Sequence, residues 1–123
     1  MNQIKTDKAP AAIGPYSQAI VSGNMVYCSG QIPIDPQTGN IPEGVSAQAH
    51  QVFNNIKNLL NAAGSDIDKV IKTSVFIKDM NDFAEINSIY AEYFTEPYPA
   101  RSCVEVARLP KDVLLEAEVI AEL

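Results

Sequence analysis

The apolar residues of this chain switch between a helical period and a strand period several times, and this switching constrains the fold more than any other feature. Apolar residues at three- and four-residue steps predict a first helix that Ser46 caps and Gly64 ends. Alternation of apolar and polar residues, many of them β-branched, predicts a strand over 71–78. Asp82, followed three residues later by Glu85, suggests a capping box that opens a second helix. The middle of the chain is therefore predicted as helix, strand, helix.

Strands are also predicted on both sides of this middle segment. Residues 17–22 and 25–29 flank a Gly-Asn dipeptide, which is typical of the two-residue turn of a β-hairpin. Near the C-terminus, residues 100–106 and 113–121 both alternate, and we expect these two strands to pair antiparallel. The order β-β-α-β-α-β-β predicts an α+β fold, in which a mostly antiparallel sheet carries both helices on one face.

One domain is predicted over residues 1–123, because the length suits a single core and no composition shift or repeat divides the chain. The sheet face opposite the helices is then the open question. We expect it to carry Val70, Ser74, Phe76, Arg101, Cys103, Glu105, Leu114, Glu116, Glu118 and Ile120. This mixture is too apolar for open water, so we expect an oligomer to cover the face.

Charge and residue content exclude several classes of function. Nine Lys and Arg against fifteen Asp and Glu give a net charge of −6, which disfavours a broad nucleic-acid groove. His50 is the only histidine, which removes most metal centres and Ser-His-Asp schemes, and we assign His50 no role. The glycine-rich motifs that bind dinucleotides or nucleotide phosphates do not occur. We therefore expect no metal centre and no nucleic-acid partner.

The apolar segments and the cysteines indicate a cellular compartment. No apolar run approaches the roughly 20 residues that span a bilayer, and the first residues lack an apolar leader segment. Cys28 and Cys103 lie far apart, and a chain of this length needs no disulfide, so free thiols are expected. We therefore expect a cytoplasmic protein that does not bind membranes.

Arg101 is the first candidate for chemistry, since only two of the nine basic residues are arginine and this one enters a predicted strand. A guanidinium binds a carboxylate through two parallel hydrogen bonds, which lysine cannot do. The alternative is a structural ion pair on the same sheet face with Glu105, Glu116 or Glu118. The residues alone leave both interpretations open.

Glu116 is the second candidate, because it lies in an alternating apolar strand where burial would raise its pKa and suit it to act as a base or acid near neutrality. It could equally be the ion-pair partner of Arg101 at a subunit interface. Cys103 is better interpreted as a small buried hydrophobic residue than as a nucleophile, because no histidine lies nearby.

Three further polar residues could contribute to a site. The Tyr16 hydroxyl could reach a ligand, or the ring could pack at the edge of the core. Ser29, at a strand end, could bind a ligand or its own backbone. Asn87 is a poor helix former beside an apolar stripe, so we expect a polar partner for it.

Four stretches taken together resemble the Rid/YjgF family over essentially the whole chain and in the same order. They are APAAIGPY (9–16), SGQIP (29–33), KTSVFIKDMNDF (72–83) and PARSCVEVARLP (99–110). The resemblance implies a chorismate-mutase-like α+β fold, assembled as a homotrimer with the sheets inside and clefts between subunits. It also implies an enzyme without cofactor or metal that hydrolyses reactive 2-imino and enamine acids, released by dehydratases, to 2-oxo acids and ammonia.

The same resemblance implies a role for each matching residue. Arg101 would clamp the substrate carboxylate, and family members that lack this arginine generally lack the deaminase activity. Glu116 would position and activate the attacking water, and Cys103 would contact the substrate mainly through its backbone. The remaining cleft residues would be Tyr16, from the neighbouring subunit, Ser29, Gly30 and Asn87.

Two other functions remain as alternatives. A trimeric binding module could hold a 2-oxo acid in the same arginine-lined cleft and signal its concentration without turnover. A binder needs Arg101 but no water-activating carboxylate, so a Glu116→Gln variant that keeps its ligand affinity and loses turnover would indicate an enzyme. Ribonuclease or translation-inhibitor activity is disfavoured by the net charge of −6 and by the lack of a basic aromatic patch.

Overall fold

A six-stranded sheet carries two α-helices on one of its faces in the computed structural model, which describes residues 1–123. The strands are β1 (Asn2–Ile4), β2 (Ala19–Ser22), β3 (Met25–Cys28), β4 (Val70–Ile77), β5 (Ala100–Glu105) and β6 (Leu115–Glu122). The helices are α1 (Val45–Ala62) and α2 (Phe83–Tyr93), and short 3₁₀ turns cover Ile67–Lys69, Met80–Asp82 and Pro110–Asp112. The predicted α+β class is confirmed. Neither helix combines the length and the apolar character that crossing a membrane requires.

The sheet order is β1-β2-β3-β6-β4-β5, and every strand pair except β4 with β5 is antiparallel. The predicted hairpin is confirmed as β2 and β3. β1 was not predicted, because its three residues are too few to show a period. The predicted antiparallel pairing of the last two strands is wrong, since β6 lies between β3 and β4 while β5 pairs parallel with β4 at the sheet edge. α2 provides the crossover that a parallel pair needs.

The start of α1 differs from the sequence prediction, whereas α2 begins directly after Asp82 as predicted but without the capping hydrogen bond. Gly44 precedes α1 as its N-cap, so Ser46 lies inside the first turn and caps nothing. The 3₁₀ turn before α2 has already brought Asp82 into a helical conformation, so its side chain makes no capping hydrogen bond. The C-terminus of α1 agrees with the prediction. Gly64 has a φ of 84°, and the backbone N–H of Ser65 donates to the carbonyl of Leu60 at 2.9 Å, which completes a Schellman motif.

The hydrophobic core lies between the helices and one face of the sheet. One side of α1 is fully buried there, including Phe53, Ile56 and Leu59, and it packs on the inward residues of β6, such as Leu115 and Val119. Burying each large apolar side chain contributes about 1.5–3 kcal/mol. This packing fixes the strand that carries Glu116.

The strand register corrects the expected composition of the open sheet face. Arg101 pairs with Thr73 and Cys103 with Val75, and both β4 partners are buried under the helices. By the same alternation, Glu105 also lies on the helix-bearing face, and Val70 belongs to the core. The expectation that these four residues lie on the open face is wrong. The three β5 residues were misplaced because the register of an edge strand is set by its partner, and the assumed partner was the wrong one. Val70 was misplaced because the register of β4 shifts between Val70 and Lys72.

The open face nevertheless keeps a mixed character. Phe76 pairs with Glu116 in β6 and with Val104 in β5, so these three side chains point away from the helices. Val104 is 46% exposed. Tyr27 of β3, which pairs with Ile120 of β6, is 47% exposed. Large apolar side chains therefore lie next to carboxylates on a face that nothing in the chain covers.

Three buried amides, Gln18, Gln48 and Asn55, fix the loops around the sheet. The Gln18 side chain donates to the carbonyls of Thr6, Ala9 and Pro10 and accepts from the N–H of Thr6. Asn55, in α1, donates to the carbonyls of Ile32 at 3.1 Å and Ile34 at 2.9 Å. Gln48 joins the carbonyl of Pro42 to the N–H of Leu114. These bonds order the segments that flank the candidate site.

Candidate active site

The guanidinium of Arg101 is held against α2 rather than by a carboxylate. Its Nη1 donates to Oδ1 of Asn87 at 2.7 Å, and its central carbon lies 4.7 Å from the centre of the Tyr90 ring and 5.6 Å from that of Phe83. This hydrogen bond is the only one that the side chain makes in the chain, so most of its five N–H donors are free for a ligand. The polar partner expected for Asn87 is Arg101.

Arg101 makes no ion pair with a carboxylate of its own chain. The only ion pair joins Arg108 to Asp112, at 2.8 Å on the surface. Glu105 instead accepts a hydrogen bond from the backbone N–H of Met80 at 2.8 Å. Glu116 points to the opposite face of the sheet, where Arg101 of the same chain does not lie.

A cleft of about 480 Å³ lies beside the free side of Arg101. Asn87, Tyr90, Ala91, Tyr98 and Pro99 complete its lining. The cleft thus presents one cation among amide, aromatic and aliphatic groups. Such a site suits a small anion with a short apolar part.

Cys103 follows Arg101 by two residues and packs against the hydrophobic core. Burial raises the pKa of its thiol, and the positive charge of Arg101 only partly opposes this effect. The thiol is therefore protonated at neutral pH and is a poor nucleophile.

Glu116 lies in β6 on the open face, directly against the loop that follows β3. Residues Gln31 and Ala117 exchange two backbone hydrogen bonds, of 2.8 and 3.2 Å, which bring this loop onto β6. As a result, a Cβ atom added to Gly30 would overlap Oε1 of Glu116. The carboxylate makes no hydrogen bond or ion pair within the chain. Partial burial raises the pKa of Glu116, and the nearby charge of Glu118 raises it further.

Tyr16 lies beside Gly30, and Ser29 directly precedes Gly30 in the chain. A cavity of about 300 Å³ has Tyr16 and Gly30 in its wall together with Lys111. The Tyr16 hydroxyl accepts a hydrogen bond from the N–H of Ile13 at 3.3 Å, and the residue is 51% exposed. The Ser29 hydroxyl donates to the carbonyl of Ser17 at 2.6 Å, so its proton is already engaged and only its lone pairs remain for a ligand.

The residues predicted from the sequence thus form two groups. Arg101, Asn87 and Cys103 lie on the helix-bearing side at the sheet edge, whereas Glu116 and Gly30 lie on the other side. One copy of the chain does not bring the two groups together.

Sequence reasoning missed Tyr90 and Thr73 in the first group. Tyr90 was interpreted only as part of the apolar stripe of α2, although it follows Asn87 by three residues and therefore shares its helix face. Thr73 was seen only as a β-branched strand residue. Its hydroxyl lies 2.9 Å from that of Tyr90 in the core.

His50 and the acidic residues form no metal site. Nδ1 of His50 lies 2.8 Å from the hydroxyl of Tyr93, next to α2. No group of three or more His, Cys, Asp or Glu side chains is placed to hold a metal ion.

Comparison with known proteins identifies the family. Residues 6–123 match the family model described as Endoribonuclease L-PSP. A 2-iminobutanoate/2-iminopropanoate deaminase of Salmonella typhimurium is 57% identical over 121 residues, which cover 96% of this chain and 94% of that protein.

Two solved structures agree with this match. RidA from the Antarctic bacterium Psychrobacter sp. PAMC 21119 superposes with a TM-score of 0.97 at 49% identity and full coverage of both chains. TdcF of Escherichia coli with bound serine superposes with a TM-score of 0.96 at 52% identity, covering 100% of this chain and 99% of that one. The chain therefore belongs to the endoribonuclease L-PSP family, which is the Rid/YjgF family that its motifs resemble.

Proposed function

We propose that this protein hydrolyses reactive 2-imino acids and their enamine tautomers, such as 2-iminobutanoate and 2-iminopropanoate, to 2-oxo acids and ammonia. The observation that carries the proposal is the free donor edge of Arg101 beside a small cleft, where a carboxylate can bind through two hydrogen bonds. A relative with 57% identity is named as a deaminase of these two imines, which supports the same chemistry here.

The reaction needs little from the protein beyond orientation and one base. Arg101 holds the substrate carboxylate, and Glu116 takes a proton from a water molecule as its oxygen bonds to C2 of the imine. The imine is protonated at nitrogen, so the electron pair of its C=N bond moves to nitrogen and gives a neutral carbinolamine. Glu116 then returns the proton to the amine nitrogen, and the C–N bond breaks with its electron pair leaving on ammonia. The C=O bond of the 2-oxo acid forms as the hydroxyl proton passes to Glu116, which releases it to ammonia as ammonium. One water is consumed for each imine.

The proposal places each site between two copies of the chain in a homotrimer. Arg101 and Asn87 of one copy would face Glu116, Gly30 and Tyr16 of its neighbour, because one copy holds these two groups on opposite sides of its sheet. The same assembly would cover the apolar residues of the open face. Ser29 and the backbone of Cys103 would complete the lining. The two free cysteines suit a reducing, cytoplasmic location.

A non-catalytic binder of small 2-oxo acids is the second candidate, and the bound serine of the similar TdcF structure favours a small amino-acid-like ligand. In such a binder Glu116 would be the ion-pair partner of Arg101 at the subunit interface and would have no catalytic role. Ribonuclease activity is disfavoured, because the cleft offers one arginine and the chain carries a net charge of −6.

The test measures 2-oxobutanoate formation from 2-iminobutanoate that a threonine dehydratase generates in place, with semicarbazide trapping the free imine. Wild type should accelerate the reaction. Arg101→Lys keeps the charge and loses the two-pronged donor, so its KM should rise roughly tenfold or more. Arg108→Lys is the matched control, because the other arginine pairs with Asp112 on the surface, and it should behave as wild type.

Glu116→Gln separates the two candidates. It should lower kcat by at least about a hundredfold, as expected for loss of a general base, while the affinity for 2-oxobutanoate is retained. Absence of acceleration by wild type, with 2-oxobutanoate still bound, would reject the enzyme and favour the binder.

A further inference from the structure

Tyr90 lies directly under the guanidinium of Arg101 and takes no direct part in the proposed reaction. Its ring centre is 4.7 Å from the central guanidinium carbon, well within the range of cation–π attraction, and it is closer than the ring of Phe83 at 5.6 Å. The ring therefore provides a flat surface against which the guanidinium rests.

The Tyr90 ring is itself fixed from below. Its hydroxyl lies 2.9 Å from the hydroxyl of Thr73, and both residues are buried, Thr73 almost completely. Thr73 is also the strand partner of Arg101 in the parallel pair β4–β5. The backbone of Arg101, its guanidinium, the tyrosine ring and the threonine hydroxyl thus form a closed chain of contacts.

Aromatic neighbours prevent the ring from turning away. Phe94 lies 4.3 Å from the Tyr90 ring centre, and Phe53 meets the ring edge-on at 5.7 Å. Neither of these two rings contacts Arg101. Of these three rings, Tyr90 alone contacts Arg101 through its ring face, and it is also anchored in the core by its buried hydroxyl.

We propose that Tyr90 is a positioning residue, and that its ring, anchored by Thr73, holds the Arg101 guanidinium in the orientation in which it receives a substrate carboxylate. The effect of Tyr90 on catalysis rests on the proposed function, whereas the orientation of Arg101 by Tyr90 does not depend on it. Asn87 fixes one end of the guanidinium by a hydrogen bond, and Tyr90 fixes its plane. The arginine is then ordered before the ligand arrives, which improves affinity.

The first test needs no ligand, because the chain has only two arginines. A ¹H–¹³C spectrum should resolve two δ-methylene signals, assigned with Arg101→Lys and Arg108→Lys. The ring current of Tyr90 should place the Arg101 signal upfield of the Arg108 signal. Tyr90→Leu should move the Arg101 signal towards that of Arg108, whereas Tyr90→Phe should leave most of the upfield shift.

The second test measures binding of 2-oxobutanoate by calorimetry and turnover of 2-iminobutanoate. Tyr90→Leu should weaken binding about three- to tenfold and raise KM by a similar factor with a smaller change in kcat. Tyr90→Phe keeps the ring face and loses its anchor, so a change of about twofold is expected. Tyr93→Leu is the matched control, since it removes a tyrosine ring of the same helix that packs on Phe53 and His50 and not on Tyr90 or Arg101.

Urea unfolding of each variant identifies any variant that fails to fold. If Tyr90→Leu fails to fold, Tyr90→Phe is used in its place. An unchanged Arg101 signal in Tyr90→Leu would overturn the inference, as would equal weakening of binding by Tyr93→Leu. If wild type neither binds nor turns over its ligand, the proposed function fails, whereas the δ-methylene signals still decide the role of Tyr90.

Discussion

At the scale of single residues, Gly30 lies directly against the side chain of Glu116 in the candidate site. Any Cβ at position 30 would overlap the Glu116 carboxylate, so Gly30→Ala should displace that group from β6. If Glu116 activates the water, the variant should lose activity about a hundredfold or more, as Glu116→Gln does.

The position 30 backbone does not have a positive φ, so alanine brings no backbone strain and the unfolding midpoint in urea should change little. The double variant Gly30→Ala, Glu116→Gln should be no slower than either single variant. A Gly30→Ala protein with full activity would contradict the role of Glu116.

The pKa of Glu116 leads to a second prediction at the residue scale. As a general base Glu116 acts in its carboxylate form, so kcat/KM, after subtraction of the uncatalysed rate, should fall as pH falls through the pKa of Glu116. Burial and the charge of Glu118 raise this pKa within one chain, and Arg101 of the neighbouring copy would oppose that rise in the proposed trimer. Glu118→Gln removes a charge that raises this pKa, so it should move the acid limb to lower pH. A limb that stays in place in Glu118→Gln, or persists in residual Glu116→Gln activity, would assign it to another group.

The same shift has a definite sign for stability. Because the folded-state pKa of Glu116 lies above the unfolded value, the folded protein binds the proton more tightly. The stability contributed by the protonated carboxyl is complete below the unfolded pKa and is lost as pH rises through the folded pKa. Burial of the site carboxylate therefore opposes stability at neutral pH, as is common for catalytic groups.

At the scale of elements, the end of α1 depends on a left-handed residue. Gly64 has a φ of 84° and open space around it, so Gly64→Ala meets backbone strain and no clash. We expect a loss of about 1 kcal/mol in the free energy of unfolding, measured with urea, and unchanged turnover. Gly64→Asn is the control, since asparagine tolerates this conformation and should lose less. Equal losses for the two variants would argue against backbone strain as the cause.

Elements with a long regular period could be predicted from the sequence, and their pairing could not. The apolar stripe of α1 and the alternation of β4 identified both elements, because local periodicity reflects which side is buried. The partner of β5 depends on the crossover through α2, a non-local choice that alternation does not encode. That error placed Arg101 on the wrong face of the sheet.

The candidate site shows the same limit. Arg101, Glu116 and Asn87 were found because each is a polar residue in an apolar pattern, and Gly30 was found through the family motif. Tyr90 was missed because an aromatic residue in a helical stripe is indistinguishable in sequence from an ordinary core residue. The buried amide of Asn55 was missed for the opposite reason, since asparagine in a helix gives no sign that it anchors a distant loop.

At the scale of the whole molecule, the separation of the two groups of site residues explains why the proposed site requires an oligomer. Arg101 lies at the edge strand on the helix-bearing side and Glu116 on the open side, so a ligand that meets both must lie between copies. A cyclic trimer repeats one such contact three times and closes without a free edge. Its mass by light scattering should be three times 13.4 kDa.

Mixing two inactive variants tests this account most directly. Arg101→Ala and Glu116→Gln chains are co-expressed in equal amounts, and native mass spectrometry confirms mixed trimers. In the proposed trimer each site takes Arg101 from one copy and Glu116 from its neighbour. Random mixing then leaves about a quarter of the sites intact, and about a quarter of wild-type deaminase activity should return. Mixed trimers whose activity stays at the level of the two inactive parents would contradict a site shared between subunits.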